Sequence, residues 1–164
     1  MTTWHTVSLF LHLLALALWI GAMVFFLIVM GPAVQEMAPT IAVRTMNRGR
    51  MGLESISWIG IGLLLVTGIA NLALRNPAAG LPGGTYMVLL GGKFFVFLAM
   101  TVHHCLQVFK YAPRIAQQSA AVKESATDWP EALVSDWSRW FLLLKLNAGL
   151  GPVAVLLGLA LAKS

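Results

Sequence analysis

Four stretches of the chain are apolar over lengths that only a bilayer explains. They run roughly from His5 to Met30, Ile56 to Arg75, Met87 to Tyr111 and Ser138 to Ala162. A helix needs about 20 residues to cross hydrocarbon. Inside lipid, every backbone N–H and C=O must be satisfied within the segment, so each stretch folds as a helix. The expectation is an all-α, membrane-spanning four-helix bundle forming a single transmembrane domain over residues 1–164. Composition agrees: 59% of residues are hydrophobic and 10% are charged. A soluble domain carries about 25% charge.

Proline and glycine suggest the ends. Gly31-Pro32 should stop the first helix, Asn76-Pro77 the second and Pro113 the third. The start, MTTWHTVSLF, has no basic residue, and the apolar run continues past Ala15-Leu16-Ala17, so the first segment reads as a retained helix rather than a signal peptide. Arg44, Arg48 and Arg50 fall between the first two spans, and Lys110, Arg114, Lys123 and Arg139 between the last two. Only Arg75 and Lys163 lie on the other side. This asymmetry predicts cytoplasmic long loops and both termini on the extracytoplasmic side. The segment APRIAQQSAAVKESA is expected to prolong the third helix. DWPEALVSDWSRW reads as an amphipathic lead into the fourth, with Asp128 its N-cap and Trp129, Trp137 and Trp140 near the headgroups. No internal repeat is evident.

The sequence pI near 9.9 comes from that loop charge, and no basic helix or aromatic-basic module points to nucleic acid. The single cysteine, Cys105, excludes an internal disulfide and a cysteine-rich metal site. No phosphate-binding glycine loop or nucleophile elbow occurs, and the spans offer no serine–histidine–acid set or paired carboxylates.

What the spans do hold is histidine and lysine, which lipid rejects unless they face a bundle interior or a partner. Helical positions seven or eleven apart share a face. One stripe of the third helix carries Lys93, Phe97, Met100, His104, Gln107 and Tyr111, with His103 to the side. His5, His12, Trp19 and Phe26 share a stripe of the first. The second presents Ser57, Gly60, Leu64, Thr67 and Asn71, the fourth Asn147, Gly151, Ala154 and Gly158. Helical rise separates two polar groups. His12, Lys93, Asn71 and Thr67 form an outer cluster. His104, Asn147, Gln107, Tyr111 and Glu54 lie toward the inner side. His12 and His104 differ by roughly 15 Å in depth, too far to share one iron. Lys145 points away and snorkels.

These residues resemble a known superfamily. LHLLALALWIGAMVFF, with His12 and Trp19 seven apart, is similar to the opening helix of HemJ-type and CopD-type membrane proteins. Lys93 followed by His104 matches the HemJ third-helix spacing, and Asn147 in LNAGLGPVAVLLGLALAK its fourth-helix asparagine. LLLVTGIANL looks more like CopD. The resemblance implies a haem b-containing oxidoreductase in the bacterial inner membrane, acting on a porphyrinogen- or quinol-like substrate and passing electrons toward a membrane acceptor. His12 and His104 would be metal ligands, and Lys93, Trp19, Asn147 and Met100 would line the cofactor site. The chain departs from HemJ at two points: FFLIVMGPAV lacks its first-helix arginine, and Ala148 replaces its fourth-helix glutamate. Copper transport or resistance of CopD type is the alternative, with Met23, Met30, Met87 and Met100 as further soft donors. A third reading is an accessory subunit of a larger membrane complex, or a homo-oligomer.

Overall fold

A computed structural model describes residues 3–74, 83–123 and 128–163. Its described residues are helical with no strand, and four helices are long and apolar enough to cross a membrane. Helix α1 (Thr3–Phe25) passes through a five-residue π turn (Phe26–Met30) into short α2 (Gly31–Ala33) and a 3-10 turn (Val34–Glu36). Helix α3 is Pro39–Ala73 and α4 is Gly84–Leu106. A second π turn (Gln107–Tyr111) leads into α5 (Ala112–Ala120), and α6 is Glu131–Lys163. The chain alternates direction, so both termini lie at one end of the bundle. The opposite, hairpin end holds the turns from α2 to α3 and from α5 to α6.

The second span ends at Ala73, ahead of Asn76-Pro77 as expected, but Pro32 and Pro113 do not stop their helices. Proline clashes with the carbonyl four residues back and lacks an N–H of its own. Before Pro32 and Pro113 the chain widens to a π turn: Gly31 N–H bonds to Phe26 O, and Ala112 N–H to Gln107 O. The wider turn absorbs the ring, and the helix continues. The expected loop over residues 31–55 thereby shrinks to a break at Met37 and Ala38, and the third helix is prolonged. Arg75 lies outside the described residues. Helix α6 begins at Glu131, and Val134 N–H bonds to Pro130 O. Trp137 and Trp140 are buried inside the hairpin end of the bundle, where they pack with Phe26 and Phe141.

The burial pattern also reveals a repeat that the residue identities conceal. Stepping along the chain by one constant interval, buried Ala15, Trp19, Met23, Phe26 and Val34 land on buried Val96, Met100, His104, Gln107 and Ile115. The same step superposes the two π turns and carries Pro32 onto Pro113. A second interval carries Val43, Met46, Arg50, Ser57, Ile61 and Leu64 of α3 onto Leu133, Asp136, Trp140, Asn147, Gly151 and Ala154 of α6, all buried. Each half is thus an antiparallel helix pair, α1 with α3 and α4 with α6, and these two pairs make the most extensive contacts in the molecule. The pairs meet along two thinner seams, α1 against α6 and α3 against α4.

Trp140 joins the halves at the hairpin end. Its ring lies 5.3 Å from Phe26, the first residue of one π turn. Its carbonyl accepts a 3.0 Å hydrogen bond from Nε2 of Gln107, the first residue of the other.

Candidate functional site

The sequence-selected residues divide into two levels. Toward the hairpin end, His104 is 3% exposed on α4. The Gln107 amide, one turn further along, donates to Trp140 O at 3.0 Å. Nε2 of His104 is buried without a partner. Trp58 of α3 sits edge-on to the His104 ring at 5.0 Å, with Phe109 6.2 Å beyond. Trp58 is 40% exposed, so a single lipid-facing ring covers His104 on the α3–α4 seam.

His103 does different work. Its Nδ1–H donates to Asn147 Oδ1 at 2.9 Å, and Asn147 Nδ2 donates to the Met100 carbonyl at 3.0 Å. Asn147 is therefore tied up in holding α4 to α6. Met100 and Trp19 are each 1% exposed within the core; Trp19 lies 3.0 Å from where a Cβ on Gly60 would stand.

Nearer the terminal end, His12 Nδ1 lies 2.7 Å from Thr67 Oγ1. The Thr67 hydroxyl donates to Leu63 O at 2.5 Å, so it accepts from His12, whose Nε2 is left as the lone-pair nitrogen. Ser8 adds a 3.4 Å bond to Thr67 O. Lys93 is half-buried. Lys93 Nζ lies 3.3 Å from where a Cβ on Gly158 would stand, just as His12 Cε1 lies 3.6 Å from that position on Gly68. His12 and Lys93 are repeat equivalents, and so are Gly68 and Gly158. Asn71, one turn beyond Thr67, buries an unpartnered Oδ1.

One group escaped the sequence reading. Arg50, counted there as loop charge, is 4% exposed inside the bundle and pairs with Glu54 at 2.5 Å and with Asn47 Oδ1 at 2.8 Å. Its signal was available: Asn47, Arg50 and Glu54 are spaced as neighbours on one helical face.

A groove of about 620 Å³ opens between α1 and α3, lined by Leu18, Gly21, Phe25, Gly52, Ile56 and other apolar residues. No histidine lines it. Among the described residues, no three of histidine, cysteine, aspartate and glutamate converge to hold a metal. No protein-family model, curated protein or solved structure matches the chain.

Proposed function

We propose that this is an integral membrane redox protein that binds haem b through His104, in a bacterial plasma membrane with the hairpin end cytoplasmic. The supporting observation is the buried, unpartnered Nε2 of His104, set one turn from Gln107, whose amide is fixed by the Trp140 carbonyl. Nothing among the described residues satisfies that nitrogen, and leaving a buried polar atom unmet costs about 1–3 kcal/mol.

Haem b bound there supplies one-electron chemistry for a quinol- or porphyrinogen-like substrate and a membrane acceptor. The chain's own residues do the rest. Trp58 covers one edge of the His104 ring, and the His103–Asn147–Met100 bonds hold the neighbouring imidazole away from it. His12 does not join His104: it lies about three helical turns away in depth and is bonded to Thr67.

The test is the absorption spectrum of protein purified after haem-supplemented expression, oxidised and dithionite-reduced. A Soret band is expected in the native chain and is lost in His104→Ala, while His12→Ala keeps it. Absence of the band from folded native protein would sink the reading.

Copper(I) is the second reading. Met23 occupies the repeat position of His104, and Met23 and Met100 are both buried in the same core cluster. Thioether and imidazole are soft enough donors for that ion. Stoichiometric copper without iron in the purified protein would favour it.

A further inference from the structure

Among the described residues, no acidic side chain stands beside the half-buried lysine of the terminal-end cluster. The six acidic residues are Glu36, Glu54, Glu124, Asp128, Glu131 and Asp136. Every one that the structure describes lies in the hairpin-end half of the bundle, and Glu124 falls outside the described residues. Glu54 is already paired with Arg50, and Asp136 accepts from Gln118 Nε2 at 3.0 Å. An ammonium withdrawn from water into a helix bundle is costly unless an anion joins it.

The surroundings of Lys93 suit such an anion. Gly158 leaves room for Nζ against the α6 backbone; a methyl there would stand 3.3 Å from it. His12, held through Nδ1 by Thr67, is the repeat equivalent of Lys93. The buried, unpartnered Asn71 Oδ1 adds an acceptor at the same level, suited to a hydroxyl or to a protonated acid. Lys93 stands nine residues into α4, about 14 Å along the helix from Gly84. A ligand must therefore reach below the bundle end, and the lipid-facing helix surfaces beside Lys93 are apolar: Phe94 and Phe95 are 60% and 70% exposed.

We propose that Lys93, with His12 and Asn71, binds the oxyanion head of an amphiphile, a carboxylate or phosphate on an apolar body, entering from the leaflet at the terminal end. The site is separate from His104 and stands whether or not His104 carries iron.

The test uses the full chain in nanodiscs of a neutral phospholipid, with a fluorescent C16 carboxylic acid as probe and the matching C16 alcohol as control. The acid binds saturably and the alcohol at least tenfold more weakly. Lys93→Gln lowers acid affinity to the level of the alcohol, Lys93→Arg retains most of it, Gly158→Ala weakens it several-fold, and His104→Ala leaves it unchanged while removing the Soret band. Helical circular dichroism shows which variants are folded, and Gly158→Ala carries the test if Lys93→Gln is not. Displacement by phosphatidylglycerol but not by inorganic phosphate identifies a lipid headgroup as the natural anion; displacement by inorganic phosphate identifies a water-borne one. Equal binding of acid and alcohol, or unchanged acid binding by folded Lys93→Gln, overturns the proposal.

Discussion

The two halves of the bundle share a backbone plan and differ in chemistry. In the first, the stripe facing the interior reads His12, Trp19, Met23, Phe26; in the second, the same positions read Lys93, Met100, His104, Gln107. The first half pairs its buried ionisable groups internally, His12 on Thr67 and Arg50 on Glu54, and leaves Asn71 Oδ1 unpartnered. The second leaves more unanswered, among them the ammonium of Lys93 and Nε2 of His104. The seams differ in the same sense. On α1–α6, Ile20 wedges so close to Gly151 that an added Cβ would lie 2.9 Å from it. On α3–α4, the equivalent pair is Thr101 and Ile61, and the half-exposed Trp58 lies over the His104 ring. A repeated scaffold thus carries one half whose ionisable groups are paired and one half with a cation and an imidazole nitrogen left over for ligands.

The comparison is most exposed to breakage at Trp140 and its equivalent, Arg50. Trp140→Ala removes the ring that packs on Phe26 and should cost about 3–5 kcal/mol, as a large buried aromatic does. Gln107 keeps its bond to the backbone carbonyl, so the loss is one of packing. Arg50→Met leaves Glu54 unpaired and should cost about 3 kcal/mol, the low end for a broken buried pair because Glu54 retains 16% side-chain exposure. Arg50→Met with Glu54→Leu should recover most of that loss. Reversible unfolding in mixed micelles measures all three. A Trp140→Ala cost below about 1 kcal/mol would mean that the π turns do not depend on this residue.

A smaller effect sharpens the contrast between seams. Gly151→Ala forces Ile20 aside and should cost about 1–3 kcal/mol, with Ile20→Ala restoring part of it. Gly91→Ala meets nothing within 4 Å and should instead stabilise α4 by about 0.5–1 kcal/mol. Equal effects at the two glycines would refute the tight α1–α6 seam.

How much of this could be read beforehand follows from the physics of helices. Length and apolarity locate four spans, and positions seven or eleven apart put Lys93, Met100, His104 and Gln107 on one face; these depend only on chain geometry. The cluster of His12, Thr67, Lys93 and Asn71 follows from rise per residue in the same way. The stops expected at Pro32 and Pro113 give way to continued helix, because a π turn is a backbone adjustment without a side-chain signature. The repeat stayed hidden because it conserves burial and not residue type: methionine answers histidine, phenylalanine answers glutamine, arginine answers tryptophan. Trp58 was overlooked because an aromatic residue in an apolar run looks like a lipid-facing one until the neighbouring helix is placed. The same holds for Trp137 and Trp140, whose burial depends on Phe26 and Phe141 from two different helices.

The smallest expected effect bears on how the first half pairs its histidine. Thr67 accepts from His12 and donates to Leu63 O, whereas its repeat equivalent, Leu157, offers Lys93 no hydroxyl. Thr67→Val keeps the shape and deletes the acceptor, so it should cost about 1 kcal/mol, a typical net hydrogen bond. His12→Ala in the Thr67→Val background should then cost less than it does alone, with a coupling of about 0.5–1 kcal/mol in a double-mutant cycle. Strictly additive costs would mean that the ring and hydroxyl do not support one another, and His12 would then be as unanswered as Lys93. Coupling, by contrast, makes the difference between the halves a difference in local bonding: a histidine held by its own partner helix opposite a lysine held by none.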